Sequence, residues 1–138
     1  MDSIVTGGCM CGSVRYEARA PLRDIICCHC EQCRRSSGHF VAATAVRKKY
    51  FALTASDTLA WYSYIPGLRR GFCNACGLSL FFEDINGERI SIAAGTLDKP
   101  QGLRIAAHIY AAEKGDYYNI NDGAPVSDGG EHPVKLPA

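Results

Sequence analysis

Eight cysteines in a chain of 138 residues limit what this sequence can fold into more than any other feature. They form three tight groups: Cys9 and Cys11; Cys27, Cys28, Cys30 and Cys33; Cys73 and Cys76. A secreted disulfide scaffold usually spreads its cysteines through loops, whereas closely spaced thiols are suited to gripping one metal ion. The grouping therefore predicts metal binding in a reducing compartment.

The N-terminus and the charge balance exclude several functional classes. Residues 1–3 provide no basic start to a secretory signal, and no stretch is apolar for long enough to span a bilayer. We therefore expect a cytoplasmic protein with no membrane contact. Fifteen Lys and Arg against fourteen Asp and Glu give a net charge of +1. This balance argues against nucleic acid as a partner, because such binders usually need a basic excess.

Short alternating segments predict a chain made mostly of strands. The predicted strands cover residues 14–18, 40–46, 59–65, 78–82, 89–94 and 105–111, with one helical turn over 31–37. The length fits a single domain over residues 1–138, with a core from about 4 to 128 and a loosely packed tail from residue 127. Many short strands separated by turns indicate an all-β sandwich or open barrel, whose open edges would permit a homodimer.

The outer cysteine pairs predict a closed structural zinc site. Two residues separate Cys73 from Cys76, so one turn can aim both sulfurs at one ion. Two thiolates leave a tetrahedral zinc half coordinated. Cys9 and Cys11 can complete it, because residues i and i+2 of an extended segment point the same way. Four thiolates leave no position for chemistry, so we expect this ion to stabilise the fold.

The central group predicts a second, catalytic zinc. In an extended segment Cys28 and Cys30 face one side, and Cys33 adds a third thiolate. Three protein ligands with one free coordination position are typical of a catalytic zinc. Two alternatives remain open at this point: a site closed by Cys27 or His29, and a redox disulfide between Cys30 and Cys33. Cys27 and His29 would point away from such an ion, so we expect Cys27 to be a buried small hydrophobe.

These motifs, in this order, resemble a known family, the glutathione-dependent formaldehyde-activating enzymes, which also include centromere protein V. The resemblance rests on three runs: Gly8-Cys9-x-Cys11-Gly12-x-Val14-Arg15-Tyr16, Cys28-His29-Cys30-x-x-Cys33-Arg34-x-Ser36-Ser37-Gly38 and Arg70-Gly71-Phe72-Cys73-x-x-Cys76-Gly77. Segments 95–98, 107–110 and 122–125 also match, so the resemblance extends from about residue 4 to about residue 128.

The resemblance implies a β-tent (Mss-four-like) fold with two zinc ions, one structural and one catalytic, divided among the cysteines as above. The catalytic ligands would be Cys28, Cys30 and Cys33. The implied activity is that of a carbon–sulfur lyase that combines glutathione and formaldehyde into S-hydroxymethylglutathione. One departure is visible: this chain has Tyr117 and Tyr118 where the family often has a tryptophan.

Candidate substrate contacts follow from charge and position. Glutathione carries two carboxylates, and Arg34 and Arg35 directly after the zinc motif could clamp one of them. Arg69 and Arg70 are a second option. A proton donor is also needed, and three histidines are candidates: His29, His39 and His108.

Two other functional classes compete with an enzyme that joins a small thiol and an aldehyde. One is a zinc-ribbon-like module that binds a protein or nucleic acid without turnover. The other is a protein that binds glutathione or zinc without catalysis. The near-neutral charge and the three-cysteine set both favour the enzyme.

Overall fold

Strands make up most of the ordered structure. The computed structural model describes residues 3–19 and 21–138, so Met1, Asp2 and Ala20 lie outside the described part of the chain. The ten strands are β1 (Val5–Gly8), β2 (Val14–Ala18), β3 (Ile25–Cys28), β4 (Val41–Arg47), β5 (Phe51–Ser56), β6 (Leu59–Ile65), β7 (Leu68–Cys73), β8 (Ser79–Asp84), β9 (Arg89–Ala93) and β10 (Ile105–Ile109). The helix α1 (Glu31–Ser37) is accompanied by 3₁₀ turns at Lys48–Tyr50, Ala94–Thr96 and Ala111–Glu113.

The strands form two sheets, which confirms the all-β prediction. The small sheet has the order β1-β2-β5, and the large sheet has the order β10-β3-β4-β9-β8-β7-β6. Every described strand pair is antiparallel except β3 with β10, where Cys28 lies opposite Ile109 in a parallel ladder. No helix among the described residues is long and apolar enough to cross a membrane.

The core lies between the two sheets and is anchored by β2. Val14, Tyr16 and Ala18 are buried on one face of this strand, as the alternation predicts. They pack against Leu80 and Ile92 of the large sheet. The buried hydroxyl of Tyr16 forms a 2.8 Å hydrogen bond with Thr96, and burial raises the pKa of Tyr16 to about 12, so this phenol stays neutral.

The tail runs beside β10 and extends its hydrogen bonding. The backbone N–H of His108 donates to Pro125, and that of Ser127 donates back to His108. Tyr110 N–H donates to Gly129, and Arg47 Nε donates to Pro137 at 3.3 Å. These bonds attach the start of the tail to the sheet. The looser packing expected of the tail stays a prediction.

All three cysteine groups lie at or directly after the ends of strands. β1 ends at Gly8, next to Cys9, and β7 ends at Cys73. β3 ends at Cys28, and Cys30 then caps the N-terminus of α1. The ends of β1 and β7 meet, while the end of β3 belongs to a different part of the large sheet. The fold therefore separates the central cysteines from the outer pairs.

Candidate metal centres and cavity

The outer cysteine pairs meet in one cluster. The sulfurs of four residues all lie within 4.8 Å of one another: Cys9, Cys11, Cys73 and Cys76. The Cys11 sulfur lies 3.6 Å from each of the sulfurs of Cys9 and Cys73. Zinc–sulfur bonds of about 2.3 Å in a tetrahedron place sulfurs about 3.8 Å apart. The donor set and its spacing therefore fit one zinc ion.

Backbone and side-chain donors surround this cluster and favour thiolates. The N–H of Val14 donates to the sulfur of Cys9 at 3.3 Å, and the N–H of Cys76 donates to that of Cys73 at 3.4 Å. The hydroxyl of Thr58 lies 3.1 Å from the Cys73 sulfur, and this hydrogen bond is the main cause that lowers the pKa of Cys73 to about 6. Metal-binding thiolates are supported in this way before any ion binds.

Cys28, Cys30 and Cys33 form a second, separate cluster, with their sulfurs within 4.8 Å of one another. The N–H of Cys33 donates to the Cys30 sulfur at 3.3 Å, which closes the first turn of α1 around the cluster. Hydrogen bonds shared among the thiols lower the pKa of Cys30 and raise that of Cys28. One anionic sulfur is thus already favoured, and the three sulfurs fit a zinc with three protein ligands.

Cys27 and His29 lie outside this cluster. The Cys27 side chain is fully buried, and burial raises the pKa of its thiol to about 12. His29 is also fully buried, and its ring is hydrogen bonded to other residues. The alternation along the segment thus separates both side chains from the three thiols. Cys30 and Cys33 are free thiols in this structure.

The buried imidazole of His29 starts a chain of polar contacts. Its Nε2 lies 2.9 Å from Nδ1 of His108, and His108 Nε2 lies 2.8 Å from the Asp122 carboxylate. On the other side, Nδ1 of His29 is hydrogen bonded to the hydroxyl of Tyr118. Burial, followed by the charge of His108, lowers the pKa of His29 to about 4, so this ring is neutral at pH 7. These hydrogen bonds hold His29, the residue between the candidate ligands Cys28 and Cys30, on the side away from the three thiols.

A cavity of about 730 Å³ opens beside the three-cysteine cluster. All three cysteines line it. Its walls include Val41, Ala43, Phe82 and Ile109, which give it a largely apolar surface. This volume is within the range of small-molecule sites.

Arg70 connects the cavity to the cluster. Its Nη2 donates to the Cys33 sulfur at 3.5 Å, and the guanidinium lies over the rings of Phe82 and Tyr64, at 5.0 and 5.7 Å from their centroids. Its Nε is buried and has no hydrogen-bond partner among the described residues. A buried donor of this kind is costly unless a ligand satisfies it.

Comparison with known proteins identifies the family. A family model described as glutathione-dependent formaldehyde-activating enzyme (GFA) matches residues 4–113. The chain belongs to this family. The predicted family membership is confirmed.

Two further proteins are similar to this chain. The GFA-family chain is 27% identical over 116 residues to a Schizosaccharomyces pombe protein named as an uncharacterized lyase, with 83% of each chain covered. A crystal structure of a Rhodobacter sphaeroides protein is similar in fold, with a TM-score of 0.56 and 24% identity. That match covers 70% of this chain and 91% of the other. The expected fold class is confirmed.

Several candidate residues of this GFA-family protein do not line the cavity. Arg35 is exposed and pairs with Glu31 at 3.1 Å, one turn away on α1. Neither Arg34 nor Arg35 lines the cavity, whereas Arg70, the second option, does. The three candidate histidines and the two tyrosines at the departure from the family pattern are also absent from the lining: His29, His39, His108, Tyr117 and Tyr118.

The histidine chain leads to a stability prediction. We expect His108→Phe to destabilise the zinc-loaded protein by about 1–3 kcal/mol, because it leaves the buried Nε2 of His29 without a partner. Urea unfolding at pH 7 measures the change. The matched control is His39→Phe, since the His39 ring is hydrogen bonded to the exposed Tyr117 hydroxyl, at 2.6 Å, and not to a buried group. Equal stabilities for the two variants would show that the chain contributes nothing.

Proposed function

We propose that this protein is a zinc-dependent carbon–sulfur lyase that joins glutathione to formaldehyde, or forms a closely related thiol–aldehyde adduct. One observation carries the proposal: three cysteine sulfurs within 4.8 Å of one another line a cavity of about 730 Å³. Family membership and the relative named as a lyase support the reaction class. The four-cysteine cluster would hold a structural zinc.

The residues of the cavity suit a reaction between an ionised thiol and an aldehyde. Zinc held by Cys28, Cys30 and Cys33 would supply a Lewis acid that favours ionisation of the substrate thiol. In the addition, the sulfur–carbon bond forms while the carbonyl π bond breaks, and the aldehyde oxygen takes up a proton equivalent to the one the thiol releases. The apolar wall limits access of water to this step.

Arg70 would orient the thiol substrate. Its buried Nε and its position beside Cys33 make it a partner for a carboxylate close to the reacting sulfur. The aromatic rings on either side fix the plane of the guanidinium. Arg70 takes the role first expected of Arg34 and Arg35, because it is the one of the three that lines the cavity.

Tyr64 is the proton donor that we propose. Tyr64 lines the cavity, in contrast to the three histidines considered from the sequence. Burial raises the pKa of Tyr64, so the phenol keeps its proton at neutral pH and can donate it to the aldehyde oxygen.

Exchange spectroscopy tests the proposed reaction. Formaldehyde and its glutathione adduct are mixed at equilibrium, and the rate of exchange between them is measured by NMR with and without catalytic amounts of zinc-loaded protein. Buffer alone is the essential control, because thiols add to formaldehyde unaided. We expect the protein to accelerate exchange. A rate equal to that of buffer would reject the formaldehyde reaction and favour a binding module.

The cellular setting and the assembly state stay proposals. Eight free cysteines suit a reducing compartment such as the cytoplasm. Strand β6 ends the large sheet, where exposed Tyr62 and Ile65 could contact a second copy in a homodimer.

A further inference from the structure

The cavity beside the central cysteines is lined by arginines that have no acidic partner among the described residues. Four basic side chains line it: Arg23, Arg70, Arg89 and His132. Ion pairs among the described residues include none for Arg23, Arg70 or Arg89. A site with this composition is suited to a negatively charged ligand.

The acidic residues of the cavity do not compensate for these charges. Three carboxylates line it: Glu83, Asp84 and Glu88. Glu83 is buried but already pairs with Arg69 at 2.6 Å and with Lys48 at 3.3 Å. Asp84 and Glu88 are exposed to water at the rim. None of these carboxylates pairs with Arg23 or Arg70, the two arginines of the lining that are not exposed.

Arg23 is the most buried of these arginines, because its residue surface is only 5% exposed. Its Nε donates to the Asp24 carbonyl at 3.1 Å, and its Nη2 donates to the Ala43 carbonyl at 2.9 Å. These bonds fix the guanidinium but supply no counter-charge. Nη1 has no hydrogen bond to any residue that the structure describes. A buried cation without an anionic partner is unfavourable unless a ligand provides one.

Arg89 and His132 line the same cavity as Arg23. Burial, and then the charge of Arg89, lowers the pKa of Arg23 to about 10. Burial, and then the charges of Arg23 and Arg89, lowers the pKa of His132. The two arginines disfavour charge on one another, so an anion bound near them would stabilise both and would favour protonation of His132.

The cationic group stands at a distance from the cysteines that a small peptide can span. Arg23 precedes β3 and Cys28 ends it, a separation of five residues, or about 16 Å along an extended strand. Both residues line the one cavity, and the backbone of a three-residue peptide extends about 10 Å before its side chains are counted. One molecule can therefore touch both ends of the cavity.

We propose that Arg23, Arg89 and His132 form a subsite for an oxyanion group, a carboxylate or a phosphate, on the molecule whose thiol reaches the cysteines. The position of the thiol rests on the proposed function, whereas the anion subsite does not require any reaction. The subsite would select acidic thiols over neutral ones, because only the former place a negative charge there.

Calorimetric binding to the zinc-loaded protein tests the subsite with ligands that cannot react. The probes are S-methylglutathione, its diethyl ester and inorganic phosphate. We expect S-methylglutathione to bind and its ester, which lacks both carboxylates, to bind at least about tenfold more weakly. Binding of phosphate without binding of S-methylglutathione would uphold the subsite and assign it to a phosphate-bearing substrate. Failure of both anions to bind would overturn the proposal.

Two matched variants remove one positive charge each. Arg89→Gln alters the cationic group at an exposed position, so the fold should survive. Arg104→Gln removes the same charge at a site 81% exposed and outside the cavity lining. The measured quantity is the affinity for whichever of the two anions binds the native protein. We expect Arg89→Gln to lower this affinity about tenfold and Arg104→Gln to change it by no more than about twofold. Equal effects would contradict the subsite. If the anions bind as expected but the native protein does not accelerate exchange, the proposed function alone would be wrong.

Discussion

Cys30→Ser is expected to abolish the accelerated exchange between formaldehyde and its glutathione adduct while the protein stays folded. Serine replaces a thiolate at the centre of the three-cysteine cluster, so the remaining ligands hold zinc poorly. Even substitutions outside the ligand shell cost about 10–100-fold in metal affinity or activity, so we expect a loss of about 100-fold or more. Exchange NMR and the zinc content of the same sample measure both effects.

The matched control for this variant is Cys27→Ala. Cys27 is adjacent in sequence to the cluster, yet it is buried on the other side of the segment and is no member of it. The Cys27→Ala variant should keep both zinc ions and the native exchange rate. If Cys30→Ser retained the native rate, or if Cys27→Ala lost it equally, the three-cysteine cluster would not be the reaction centre.

The largest effect on folding is expected from Cys73→Ser. This residue is fully buried at the end of β7 and belongs to the four-cysteine cluster that joins β7 to the end of β1. Zinc binding contributes about 10–16 kcal/mol to the folding of zinc-finger peptides. A domain of this size has about 5–15 kcal/mol of total stability. Loss of this ion should therefore remove the cooperative thermal transition.

Circular dichroism on heating measures the effect, with Cys30→Ser as the control. Both variants replace a cysteine by serine, one in each cluster. A difference in their thermal unfolding therefore shows which cluster the fold depends on. We expect Cys30→Ser to melt cooperatively and Cys73→Ser not to. A cooperative transition in Cys73→Ser within a few degrees of the native protein would show that the four-cysteine cluster is dispensable for the fold.

Local patterns in the sequence were sufficient for several elements. The bounds of β2, β6 and α1 agree with the predicted ranges. Strict alternation marks β2, aromatic alternation marks β6, and Gly38 in the left-handed conformation ends α1. The Asn86-Gly87 pair, a typical hairpin signal, also lies between β8 and β9.

Four strands were not predicted, for physical reasons that their composition shows. β3 is a continuous Ile-Ile-Cys-Cys run without alternation, and half of β1 is glycine. β5 has no regular apolar face, and β7 carries two arginines and a glycine. Their pairing with neighbouring strands stabilises them, and such long-range pairing is not visible in a single segment.

The candidate site divides in the same way between local and long-range features. Both cysteine clusters follow from spacing, because the geometry of a short segment decides which sulfurs can share an ion. The arginines of the cavity do not, since Arg23 precedes β3, Arg89 begins β9 and Arg70 lies in β7. Only the strand order of the large sheet brings them to one cavity.

A zinc titration of the metal-free protein tests most directly whether the three-cysteine cluster is a catalytic zinc site. Folding and exchange rate are followed in the same samples. We expect the first equivalent of zinc to restore the folded signal and the exchange rate to rise between the first and second equivalents. A rate that stays at the value of buffer alone, in a folded protein that has bound both ions, would contradict the claim that the three-cysteine cluster is a catalytic zinc site.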